Sequence, residues 1–90
     1  MEKQTYSINA RISWKMLKDS VVAVNLDDGN YYTFNFTSSL IWQYIDQGKT
    51  VKEVEQLISK QFPEIENQTV KNDLHDIIKY WLSENLIVDK

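Results

Sequence analysis

The sequence predicts an α+β fold: a three-stranded antiparallel meander followed by three helices, winged-helix-like in arrangement. Three observations carry this expectation. Apolar and polar residues alternate with period two early in the chain, a tight-turn dipeptide, Asp28-Gly29, separates two strand-like runs, and apolar residues recur at helical spacing from Leu40 onward. The chain has 90 residues, enough for one modest core, so residues 1–90 are read as a single domain.

In the first strand Ile8, Ala10, Ile12, Trp14 and Met16 alternate with Asn9, Arg11, Ser13 and Lys15, the pattern of a strand with one face on the core and one in water. Leu17 to Ser20 interrupts it. A second strand then runs from Val21 to Leu26, with Val22, Val24 and Leu26 as the expected inward set. Asp28-Gly29 can take the positive φ angles of a hairpin, so the third strand should return antiparallel to the second. Tyr32, Phe34 and Phe36 are expected toward the helices, and Tyr31, Thr33 and Asn35 away from them.

Asn35 or Thr37 can cap the first helix, whose expected core stripe is Leu40, Ile41, Tyr44 and Ile45, with Trp42 off the stripe and Gly48 ending the helix. Thr50-Val51-Lys52-Glu53 has the form of a capping box and opens the second helix, with Val51, Val54, Leu57 and Ile58 as its apolar face and Phe62-Pro63 closing it. The third helix starts at Asn67 or Thr69 and carries Val70, Leu74, Ile77, Ile78, Trp81 and Leu82 inward. Asn85 is suited to the left-handed helix stop, and Leu86-Ile87-Val88 folds back as a final apolar segment.

The segment from Gly29 to Ile45 runs 17 residues without a charge in a chain that is 26% charged. In a meander both outer strands are edges, and here only the first is guarded, by Arg11 and Lys15. The third strand therefore leaves unpaired backbone N–H and C=O groups as a rail on which another extended peptide can dock. As ordinary strand aromatics, Tyr31 and Tyr32 would be equally at home in a sheet.

Composition narrows the chemistry. There is no cysteine and one histidine, His75, so neither a thiolate nucleophile nor a metal ligand set can be assembled, and no metal or cofactor is expected. Ser83 lies two helical turns from His75-Asp76, too far for a triad. Two glycines do not build a phosphate-cradling loop. No catalytic residue is therefore assigned and no enzyme activity is expected. The net charge of −3 disfavours nucleic acid as partner. The longest aliphatic run, Val21 to Val24, is too short to cross a bilayer, and the N-terminus has no apolar core of signal-peptide length, so no membrane partner and a cytoplasmic location are expected.

Taken together, Gly29, Tyr32-Thr33-Phe34-Asn35 running into Leu40-Ile41-Trp42, then Gly48-Lys49-Thr50-Val51-Lys52-Glu53-Val54, then Val70, Asp73-Leu74, Ile77, Trp81-Leu82 and Asn85-Leu86-Ile87 resemble the PqqD-like family, small winged-helix-like domains also called RiPP recognition elements. The resemblance runs from about the first strand to Val88. Phe34 stands where leucine is usual in the family and Asn85 where glycine is usual; both keep the physical role, an apolar core side chain and a left-handed stop.

The resemblance implies a non-catalytic module that binds the leader segment of a ribosomally made precursor peptide. Such a module presents the leader to a modifying enzyme such as a radical-SAM protein or a leader-cleaving protease. It implies strand addition beside the third strand, with the backbone of Tyr31, Tyr32, Thr33 and Phe34 in the pairing role and a groove wall from Asp73, Leu74, Ile77 and Tyr80 on the third helix. Lys71, His75 and Lys79 line the helix's other margin. Two other readings remain at this stage: a winged-helix nucleic-acid binder, whose recognition helix would have to be basic, and a structural subunit in which the open strand pairs with a second copy to form a homodimer.

Overall fold

The computed structural model describes residues 3–90; Met1 and Glu2 lie outside the described residues. In order it comprises β1 (Tyr6–Ile8), β2 (Ile12–Leu17), β3 (Ser20–Asn25), β4 (Tyr31–Thr33), α1 (Phe36–Asp46), α2 (Val51–Gln61), α3 (Asn67–Ser83) and β5 (Ile87–Asp89). β2, β3 and β4 form the expected antiparallel meander, in that spatial order, and the three helices follow it. A two-stranded ribbon of β1 and β5 is additional, and it joins the two ends of the chain.

The long first strand of the sequence reading is two strands. Asn9 breaks it: its Oδ1 accepts the Arg11 N–H at 3.0 Å, its carbonyl accepts the Ile12 N–H at 2.9 Å, and its Nδ2 donates to the Asn85 carbonyl at 2.8 Å. An asparagine that bonds the backbone two residues on makes a turn of its own. Ile8 therefore pairs with Ile87 in the ribbon, and Ala10 is exposed on the turn.

The inward set of β3 is also the opposite of the one expected. Val21 and Ala23 are 0% and 2% exposed, whereas Val22 and Val24 are half-buried and Leu26 is 55% exposed. The cause is the two-residue turn at Lys18-Asp19, where Lys18 takes a φ of +57° and Leu17 pairs with Ser20. That register puts Val21 opposite Met16 and Ala23 opposite Trp14, so β3 turns inward whatever faces inward on β2. On β4, Tyr32 faces the helices and Phe34 just beyond it is buried, as expected; Phe36 has already entered α1 and is 46% exposed against Phe62.

Asn35 is the cap of α1, its side chain accepting the Ser38 N–H at 2.8 Å. The helix ends with Gly48 at φ +83°, the Gly48 N–H reaching the Ile45 carbonyl and the Lys49 N–H the Tyr44 carbonyl, which together form a Schellman stop. Trp42 is not off the stripe: it is 0% exposed, buried with Ser39, Ile41 and Ile45, while Leu40 and Tyr44 are half-buried. A helix packed on one face would bury the expected stripe; α1 is covered by the sheet on one side and by α2 and α3 on others, so its buried arc is wider and rotated.

The capping box at Thr50 and Glu53 is present in both directions. Val51, Val54 and Ile58 are buried on α2, and Val70, Leu74, Ile78 and Trp81 on α3, with Leu57, Ile77 and Leu82 at the margins. The position before α3 is Glu66, which makes no side-chain cap, and Asn67 is already helical. Asn85 takes φ +58° and ends α3, the Leu86 N–H reaching back to the Trp81 carbonyl at 2.9 Å.

At the centre, Trp42 stands edge-on to Trp81 at 5.2 Å and 89° and to Trp14 at 6.0 Å and 83°, and Phe34 lies 5.1 Å from Trp42 and 5.2 Å from Trp81. Four rings from β2, the end of β4, α1 and α3 thus share one cluster. Ser39 fastens the same region from below. Its hydroxyl oxygen accepts the Val21 N–H at 2.8 Å and lies 3.4 Å from the Phe34 carbonyl, to which it donates. The hydroxyl therefore bridges the last rung of the β3–β4 ladder. Ser39→Ala leaves that buried N–H without its acceptor, and the expected loss is about 1–3 kcal/mol of stability, read as a lowered urea midpoint with an unchanged slope.

Candidate functional site

The open edge of the sheet is β4. Phe34 donates its N–H to the Val21 carbonyl at 3.0 Å, Asn25 donates to the Asn30 carbonyl at 2.9 Å, and Tyr32 lies opposite Ala23. In an antiparallel ladder alternate residues turn their backbone groups to the neighbouring strand. Asn30, Tyr32 and Phe34 therefore serve β3, and Tyr31 and Thr33 turn N–H and C=O outward. The extended backbone continues to Asn35, at φ −72° and ψ 178°, whose carbonyl is taken by the Ser39 N–H.

Beside this edge α3 forms the far wall of a groove of about 360 Å³. Phe34 and Trp81, their rings inclined by 33°, form its floor; Tyr32 and Thr33 line the strand side, and Ile77 and Tyr80 line the helix side with Asp76. Past the end of β4 the groove continues into a second depression of about 380 Å³ between Asn35, Thr37 and Ser38 at the start of α1, Ile65, and Asp73, Asp76 and Ile77 of α3. Asp73 and Asp76 are the charged side chains on these linings. Lys71, His75 and Lys79 line neither, so the margin of α3 that faces β4 is the one carrying Asp73, Asp76 and Tyr80.

Of the residues singled out from the sequence, Tyr32, Thr33, Phe34, Ile77 and Tyr80 come together in one groove, and Asp73 lies on its continuation. Leu74 is 1% exposed and faces a narrow apolar crevice between the helices instead. Tyr31 offers its backbone to the edge, but its side chain is 66% exposed and lies with Val22 and Val24 on the sheet's other face. Asp76 and Ser38 went unassigned in the sequence. Asp76 was within reach of helical spacing, three residues after Asp73 and four before Tyr80; Ser38 becomes visible only once α1 is folded against the strand. Trp81 is both core and groove floor.

At the Tyr32 end the groove is closed by a hydrogen bond from the Tyr32 hydroxyl to Glu84 Oε1 at 2.9 Å. Burial raises the Tyr32 phenol pKa above its ordinary value, and the hydrogen bond to Glu84 and that carboxylate's charge raise it further. Among the described residues no group of three or more His, Cys, Asp or Glu could hold a metal ion, and no helix is long and apolar enough to cross a membrane.

The family model described as coenzyme PQQ synthesis protein D (PqqD) matches residues 20–87. The chain belongs to the PqqD family. The match takes in β3, β4, the three helices and the first residue of β5, and so the whole of the groove. Two solved structures share the PqqD-family fold closely. One is described as TbiB1 in complex with the TbiA(beta) leader peptide; it has a TM-score of 0.85 and 25% identity, over 90% of this chain and 93% of that one. The other, a lasso peptide synthetase B1 complexed with the leader peptide, has a TM-score of 0.85 over 92% of this chain and 96% of that one, and at 19% identity it speaks for the fold alone. A comparison with curated proteins returned no match.

The raised Tyr32 pKa has a stability consequence. The fold favours the protonated phenol, so the contribution is complete below the unfolded value of 10.0 and is lost as the pH climbs through the higher folded value. Tyr32→Phe is expected to flatten the alkaline fall in melting temperature above about pH 10. An identical alkaline fall in the variant would contradict the bond's contribution.

Proposed function

We propose that the chain, residues 1–90 as one domain, is a non-catalytic module that captures the leader segment of a ribosomally synthesised precursor peptide and presents it to a modifying enzyme. The observation that carries this reading is the conjunction at β4: outward N–H and C=O groups of Tyr31 and Thr33 open directly onto an apolar groove whose other wall is Ile77 and Tyr80 of α3. Strand addition supplies backbone hydrogen bonds that any sequence can make, and side chains that enter the groove supply selectivity. Membership of the PqqD family and the fold shared with a leader-peptide complex support the same reading.

The side chains assigned to binding are Tyr32, Thr33, Phe34, Asp73, Ile77 and Tyr80, with Tyr31 acting through its backbone and Leu74 belonging to the core behind the groove wall. Each apolar leader side chain fully buried contributes on the order of 1.5–3 kcal/mol. Two such anchors, after the entropy lost on ordering the peptide, are compatible with micromolar binding. The enzyme served is a peptide-modifying partner in the cytoplasm, such as a radical-SAM protein or a leader-cleaving protease.

The test is a titration with synthetic peptides covering the N-terminal half of each short open reading frame found beside the gene, the one that binds being taken as the leader of the gene-adjacent precursor. Thr33→Pro removes an outward N–H and leaves the β3 rungs in place, so it is expected to weaken binding about tenfold, against less than about threefold for Thr33→Ala. A preserved circular-dichroism melt of both variants verifies the fold. Equal losses from the two substitutions would overturn strand addition.

A further inference from the structure

We propose that the leader this groove takes carries a lysine or arginine just N-terminal to the segment that pairs with β4, and that Asp73 and Asp76 select for it. The inference rests on the leader-binding reading and adds the chemistry of the peptide. A strand added antiparallel to β4, the slightly more stable arrangement, enters from the Asn35 end and leaves toward Tyr31. Its upstream residues therefore cross the depression beyond β4, where Asp73 and Asp76 stand beside Ile77 and Ile65.

This part of the groove is amphipathic. An apolar crevice opens beneath it, with Leu74 and Phe62 in its walls and Asp73 at its rim. The side chains of Asp73 and Asp76 make no hydrogen bond or ion pair among the described residues, and no basic side chain lines the groove, its continuation or the crevice. The N-terminus of α1 also points here and has no acidic residue in its first turn. A helix N-terminus carries about half a positive charge, which leaves the two full carboxylate charges in excess. A long cationic side chain fits both features, with its methylenes over Ile65 and Ile77 and its charge at the rim.

The leader half of the gene-adjacent precursor is compared with two synthetic versions, one with its upstream Lys or Arg replaced by Gln and one with that residue moved to the downstream end. Each is titrated against the wild-type chain, Asp73→Asn/Asp76→Asn and Lys79→Gln, at low and high salt. Removal of either side of the pairing is expected to weaken binding about fivefold at low salt and less than about twofold at 0.5 M salt, with Lys79→Gln unchanged and the relocated charge no better than Gln. A native leader that binds, is weakened by Thr33→Pro and is indifferent to Asp73→Asn/Asp76→Asn, or one with no upstream cation, would overturn this inference and leave leader binding standing. Failure of every peptide to bind would overturn both.

Discussion

The contact of Phe34 with Trp42 and Trp81 is the constraint on which the rest of the structure depends. Phe34 is the residue at which the edge strand becomes a loop, Trp42 is the fully buried centre of α1, and Trp81 is the inner face of α3. Rings with centroids 5.1 to 5.2 Å apart leave little freedom in the spacing of strand and helix, because interiors packed to crystal density do not deform gradually. The groove has its width because its floor is this cluster. Phe34 and Trp81 hold the core together with one face and offer the other to whatever lies between β4 and α3.

The polar groups around that cluster determine which backbone atoms remain available. Ser39 takes the Val21 N–H and reaches the Phe34 carbonyl, Asn35 caps α1 with its side chain and gives its carbonyl to Ser39, and Tyr32 ties its hydroxyl to Glu84. The inner side of the strand is thereby satisfied to its last rung while the outer side of Tyr31 and Thr33 is left to solvent. An edge of this kind invites pairing with other chains. β4 is only three residues long and is flanked by the wall of α3, which under the proposed reading limits that pairing to one extended peptide laid in the groove.

The helical half of the fold was legible in the sequence because its signals are local. Thr50 with Glu53, Gly48 and Asn85 each act on backbone groups within a turn, and each does what its residue type suggests. The sheet was legible in its order and not in its register, since the register of β3 follows from a turn at Lys18 that no glycine or asparagine announces. Trp42 was misread for a related reason: a helical wheel shows one stripe, and α1 is covered on more than one side. The candidate edge could be seen as a gap in charge from Gly29 to Ile45. Which of its backbone groups face outward required the register, and which margin of α3 faces it required the folded chain, so Asp76 emerged only there.

Hydrogen–deuterium exchange of single backbone amides, with and without the leader half of the gene-adjacent precursor, tests the central claim most directly. The free protein should already protect Tyr32 and Phe34, whose N–H groups serve β3, and leave Tyr31 and Thr33 in fast exchange. Leader binding by strand addition should slow Tyr31 and Thr33 alone among the β4 amides. A leader that binds while both continue to exchange at their free rates would contradict strand addition at this edge.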